Sequence, residues 1–214
     1  MDVRIRHPPM GRELVGDEYK MTKTVEFYFD VGSPTTYLAH YRLLQLKDQY
    51  GCLITYNPIL LGGLFKATGN TSPAMVPAKG RYMDIDMPRY AKMYGLPLVM
   101  NPYFPINTLN LMRGAVALLT TEHFQTYINA VFDAMWVNGK NMGDVETVVN
   151  VLTEAGLNAS SILESIQSPE IKAALISNTE KAVERGLFGA PTMFVDNEMF
   201  FGQDRLHFVE SALN

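Results

Sequence analysis

Ser33 is the first residue in this sequence placed to do chemistry. It stands in Val31-Gly-Ser-Pro34, between the β-patterned run Thr24–Asp30 and a helix that Pro34 opens. Serine is a favoured N-cap and proline a favoured first helical residue. Its hydroxyl and the first helical N–H groups then face one spot, where an anion meets a donor and the positive end of a helix dipole. That spot lies at the carboxyl end of a parallel strand, where open α/β sheets bind ligands. On these residues alone, a plain helix cap is the commoner reading.

Two further positions carry chemistry near the other end of the chain. Pro191 opens a strand, where it removes a ladder donor. The preceding peptide is then either an ordinary trans bond or a cis bond beside an exposed edge at Ala190, to which an extended peptide could pair. Asp204 follows Gly202-Gln203 and is expected to cap the last helix, or to hold a ligand's ammonium group. Lys66 and Asn70 lie in the Gly-rich stretch Leu61–Asn70, with Arg81 and Tyr82 following, and these four could line a pocket or be ordinary surface groups. His7, His40, His123 and His207 show no metal-binding spacing, so no metal site is expected.

The elements that must position these groups follow from periodicity. Thr24–Asp30 and Leu53–Ile59 read as strands flanking a helix that carries Tyr37, Tyr41 and Leu44 on one face and ends at Gly51. This makes a parallel βαβ unit. Residues 60–106 are helical and loop-like, with many Gly and Pro. Helices are expected over Asn107–Thr120, His123–Val137, Val145–Ala155 and Ala159–Ile166. In the second of these, Phe124, Ile128, Val131 and Met135 form a buried stripe. Ser168-Pro169-Glu170 starts a helix running to about Arg185. A strand over Gly189–Asp196, a short antiparallel strand at Met199–Phe201 and a final helix close the chain. The order is βαβ, a helical block, then αββα: an α/β sheet with an all-helical insertion. Residues 21–59 and 167–214 form the sheet domain, and 60–166 the insertion.

Composition narrows the function classes. The 214 residues are 47% hydrophobic and 19% charged, with a net charge of −4. Such a chain builds an ordinary core and advertises no basic face for nucleic acid. No apolar run approaches the ~20 residues of a membrane span. The single cysteine, Cys52, excludes an intramolecular disulfide and a CxxC pair, and points to a reducing, cytoplasmic setting. Residues 1–20 carry four basic and four acidic residues and no apolar core, so they read as an extension rather than a signal peptide.

Four segments, in order and spacing, resemble the 2-hydroxychromene-2-carboxylate isomerase and kappa-class glutathione transferase family, a DsbA-like branch of the thioredoxin fold. They are Phe27–Pro34, Gly69-Asn70 with Pro73–Met83, Phe188–Phe194 and Phe201–Leu206. The resemblance implies glutathione as cofactor and Ser33 as the catalytic serine, where redox relatives carry the first cysteine of CxxC. It implies that Pro34, Thr35 and Asn70 contact glutathione. Ala190, before a cis Pro191, would pair with its backbone, and Gln203 and Asp204 would hold its γ-glutamyl end. Lys66, Arg81 and Tyr82 would face a small aromatic or enone-type substrate. A homodimer is the expected assembly. Three activities stay open: isomerisation, glutathione transfer to electrophiles, and a non-catalytic peptide-binding module.

Overall fold

The computed structural model describes residues 22–214, so the expected extension over residues 1–20 lies outside the described residues. In β1 (Thr24–Phe29), Val25, Phe27 and Phe29 are fully buried and alternate with half-buried positions, the period-two pattern of a strand. Ser33 caps α1 (Pro34–Tyr50): its Oγ accepts the Thr36 N–H at 3.3 Å, and Pro34 occupies the first turn. Gly51 ends α1 at φ 67°, the left-handed conformation that glycine adopts without penalty. Cys52 follows, buried at 2% exposure, and burial pushes its thiol pKa up. β2 (Leu53–Pro58) then pairs parallel to β1, with Phe27 opposite Tyr56.

Six helices come next: α2 (Leu61–Thr68), α3 (Pro77–Tyr94), α4 (Leu109–Leu118), α5 (Phe124–Trp136), α6 (Val145–Glu154) and α7 (Ala159–Ser165). The expected stripe on α5 is buried at Phe124, Ile128, Val131 and Met135, joined by Phe132 and Trp136. Burying large apolar side chains such as Phe132 contributes roughly 2–3 kcal/mol each. The Trp136 indole N–H donates to the Val31 carbonyl at 2.8 Å, tying α5 to the turn that carries Ser33. One cluster of buried side chains runs from β1 and α1 through α4, α5, α6 and α7, so sheet and helical block share a core.

α8 (Pro169–Glu184) opens on Ser168, whose Oγ accepts the Ile171 N–H at 3.2 Å. β3 (Thr192–Val195) is buried at all four positions and pairs antiparallel to β1, and β4 (Glu198–Phe201) pairs antiparallel to β3. The four-stranded sheet thus has the order β2-β1-β3-β4, and α9 (Leu206–Leu213) packs against it.

One expectation fails here: Asp204 does not cap the last helix. Gly202, at φ 100°, leads into a 3-10 turn over Gln203–Arg205, so Asp204 lies two residues before α9 and its carboxylate pairs with Arg205 instead. At φ 100° any side chain on Gly202 would strain the backbone, which is why glycine precedes this turn.

A polar pair, buried His40 with half-buried Asn129, braces α1 against α5. His40 is fully buried, its Nε2–H donating to Asn129 Oδ1 at 2.9 Å while Nδ1 accepts from the Tyr56 hydroxyl at 3.3 Å. Burial pushes its pKa down to about 4, so it packs as neutral imidazole.

Candidate functional site

Ser33 sits at the mouth of α1, 7% exposed, with its Oγ 2.7 Å from Thr35 Oγ1. Both hydroxyls face the Ala190 carbonyl, at 3.5 Å and 3.4 Å. The Ala190–Pro191 peptide is cis, the second of the two alternatives read from the sequence. Among the described residues the Ala190 N–H donates to no acceptor, and Ala190 is half-buried, so its backbone edge is free to pair with an extended ligand. Two hydroxyl donors, the first turn of a helix and an open backbone edge therefore converge from α1 and from the loop before β3.

Beside them opens a cavity of about 190 Å³, with Asp30, Pro34, Phe65, Met83, Phe104 and Thr108 in its wall. Among the described residues, no Lys, Arg or His lines it. What the described residues offer a negative charge at this spot is hydroxyls and the α1 dipole. The walls are largely apolar, which suits a planar aromatic or enone body.

Asp30 is the residue that sequence reasoning missed. It is 1% exposed, with Oδ1 accepting the Gly32 N–H at 2.9 Å and Oδ2 accepting the Leu61 N–H at 2.8 Å. Burial pushes its pKa up, opposed by these two N–H groups and the Thr108 hydroxyl. The carboxyl thus ties the Ser33 turn to the start of α2, which has no side-chain cap of its own. The available signal was a carboxylate ending the β-patterned run immediately before the turn.

The other expected residues fall into two groups. Asn70 Nδ2 donates to the Phe188 carbonyl at 2.8 Å, fastening the end of α2 to the loop that carries Ala190 and Pro191. The Gly202 N–H donates to the Pro191 carbonyl at 2.9 Å, so Gln203 and Asp204 follow directly from the same junction. Gln203 is buried, its carbonyl accepting from the Tyr94 hydroxyl at 2.7 Å. Asp204 lies on the rim of a 460 Å³ cleft shared with Arg42, Tyr90 and Tyr94. In contrast, Lys66, Arg81 and Tyr82 are exposed and do not line the Ser33 cavity. Their neighbours Phe65 and Met83 do, because helical phase turns the adjacent side chain inward.

The DSBA-like thioredoxin domain family matches residues 24–214. The chain belongs to this DsbA-like family. Within it, a 2-hydroxychromene-2-carboxylate isomerase from Sphingobium xenophagum is 35% identical over 196 residues, covering 90% of this chain and 99% of that protein. Glutathione S-transferase kappa 1 of Caenorhabditis elegans is 32% identical, covering 88% of this chain and 90% of that one. The solved structure of a 2-hydroxychromene-2-carboxylate isomerase superposes with a TM-score of 0.81 at 35% identity, over 89% of this chain and 94% of the other. The fold is accordingly the DsbA-like thioredoxin fold read from the sequence. Unlike a DsbA-type dithiol site, this one has Ser33 and Thr36 at the two ends of its four-residue helix start.

Proposed function

We propose that the chain is a glutathione-dependent isomerase of 2-hydroxychromene-2-carboxylate-type intermediates of aromatic degradation, yielding trans-o-hydroxybenzylidenepyruvate. The observation that carries this reading is the Ser33–Thr35 hydroxyl pair facing Ala190 beside an apolar cavity, in a chain similar along its described length to isomerases of that name.

The residues fit the cofactor. The helix start holds no thiol, and Cys52 is buried, so the chemistry needs a sulfur from outside. Glutathione supplies a thiol that adds to conjugated carbon and leaves again. The hydroxyls of Ser33 and Thr35 and the N-terminus of α1 would hold negative charge on that sulfur, lowering a thiol pKa from its ordinary ~8.5. The free Ala190 N–H, and its carbonyl through the lone pair left beside the long Ser33 and Thr35 contacts, would pair with the tripeptide backbone. Pro34 and Asn70 would border it, and Gln203 with Asp204 would receive its γ-glutamyl end. Phe65, Met83 and Phe104 would exclude water from the substrate. Such arrangement converts binding geometry into orientation of the reacting atoms.

A second reading, glutathione transfer to electrophiles, is favoured by the kappa-type relatives, which match nearly the same stretch of chain. Product mass separates the two: unchanged after isomerisation of a chromene-carboxylate, and heavier by glutathione less one hydrogen halide after transfer to a halogenated arene, where the thiolate displaces halide. Failure to bind immobilised glutathione would leave the non-catalytic peptide-binding reading. We also propose a cytoplasmic homodimer, where reduced glutathione is abundant. A 24 kDa particle in light scattering at micromolar concentration would overturn the dimer.

A further inference from the structure

α2 is a wall with two sides. Gly62 and Phe65 face the Ser33 cavity, whereas Leu60 (just before the helix), Gly63 and Ala67 face a separate groove of about 260 Å³ between α2, α4 and α8. Leu109, Leu175, Ile176 and Val183 make most of this groove apolar. Its polar members are Arg113, Lys172, Thr179 and Glu180. Thr179 is already satisfied, its hydroxyl accepting the Leu60 N–H at 3.0 Å and donating to the Leu175 carbonyl at 2.8 Å.

Arg113 is not satisfied. Among the described residues, its buried Nε has no hydrogen-bond partner, and its Nη1 reaches Asn110 Oδ1 at 3.4 Å. Among the described residues, neither Arg113 nor Lys172 has a carboxylate within ion-pair distance, and exposed Glu180 pairs with neither. A buried donor without an acceptor is costly, and most buried polar groups in folded proteins have a partner. Guanidinium geometry matches a carboxylate in particular, through two parallel N–H donors. The groove therefore offers a small apolar trough bordered by two cations, Arg113 and Lys172, that have no carboxylate partner among the described residues. Its volume lies just under the range of drug-sized pockets, so the occupant is small.

We propose that the groove between α2, α4 and α8 is a second ligand site, binding a small monocarboxylate with an apolar tail, its carboxylate on Arg113 and Lys172 and its tail along Leu109, Leu175 and Ile176. The site does not use Ser33 or glutathione, so it stands or falls apart from the function proposed above.

The test is titration of the full chain with octanoate, and with octanol as the uncharged control, followed by amide NMR shifts and calorimetry. Saturable octanoate binding at one site is expected, with shifts in α2, α4 and α8. Arg113→Gln should weaken octanoate by about tenfold or more while leaving octanol unchanged, the expected cost of losing a charge-assisted bond. If that variant melts early, Ile176→Asp decides: Ile176 is 59% exposed, so the substitution is tolerable, and its new carboxylate should repel octanoate to the same extent. The proposal is overturned by an absence of saturable binding, by shifts confined to the Ser33 cavity, or by undiminished octanoate affinity in the folded variants.

Discussion

The Leu61 N–H donates to Asp30 Oδ2 at 2.8 Å, joining the end of β1 to the first turn of α2 across 31 positions of sequence. The other carboxyl oxygen accepts from Gly32, one residue before Ser33. Asp30→Ala would leave two backbone donors without their acceptor, each costing about 1–3 kcal/mol. The melting temperature should fall clearly, and less in Asp30→Asn, which keeps one acceptor oxygen. Equal melting of all three proteins would remove Asp30 from this bracing role.

Asp30 also sets a pH dependence. Burial, opposed by its three donors, raises its pKa above the ordinary carboxyl value, so the folded chain holds a proton that the unfolded chain releases. That stability contribution is full below about pH 4 and is lost as pH rises through the folded-state value. Urea midpoints measured across this window should decline less steeply with rising pH in Asp30→Asn than in wild type. Parallel profiles would contradict the assignment.

His40 works in the opposite sense. Its folded pKa of about 4 lies below the ordinary histidine value, so the unfolded chain takes up protons first. The contribution is present above about pH 6.5 and lost as pH falls toward 4, amounting to about 3 kcal/mol at most. His40→Gln should lower stability at neutral pH yet flatten the acid limb of the profile. An unchanged acid limb would show that His40 is not the titrating group.

Ser33→Ala removes one cap bond, worth about 1 kcal/mol, and one of two donors on the proposed sulfur site. Thr35 Oγ1 remains, so part of the activity should survive. Adding Thr35→Val should remove most of the rest and raise the pKa of bound glutathione further. Thiolate absorbance of the complex reads this directly, and identical titrations in wild type and both variants would exclude the hydroxyl pair from the role.

Asp204→Asn separates binding from folding, because Asp204 caps no helix and pairs with its neighbour Arg205. The melting temperature should stay in place. If the carboxylate receives the ammonium group of glutathione, affinity should fall by at least about tenfold, while a des-amino analogue binds as before. Equal loss for both ligands in calorimetry would defeat the assignment.

Legibility in the sequence followed the range of the interactions. The Ser33 and Ser168 caps, the start at Pro169 and the buried stripe of α5 depend on neighbours within a turn or two, and all were readable. Asp30 was not, because Leu61 and Thr108, two of its partners, arrive from distant segments. Lys66, Arg81 and Tyr82 were placed near the right pocket but on the wrong face. α2 is eight residues long and Gly-rich, and α3 carries an internal Pro88, so neither has an apolar stripe strong enough to fix its phase. The Asp204 cap failed for a local reason: a positive-φ glycine allowed a 3-10 turn where a helix start was expected.

Cys52, shut away before β2, gives the molecule a particular relation to oxidants. With its sole sulfhydryl inaccessible, the polypeptide offers no partner for a mixed disulfide with the tripeptide it is proposed to use. Oxidative stress would then act on the supply of the cosubstrate and not on this thiol. Catalytic flux would track the ratio of reduced to oxidised glutathione, and would return when the pool is reduced again, with no disulfide on the protein to be repaired.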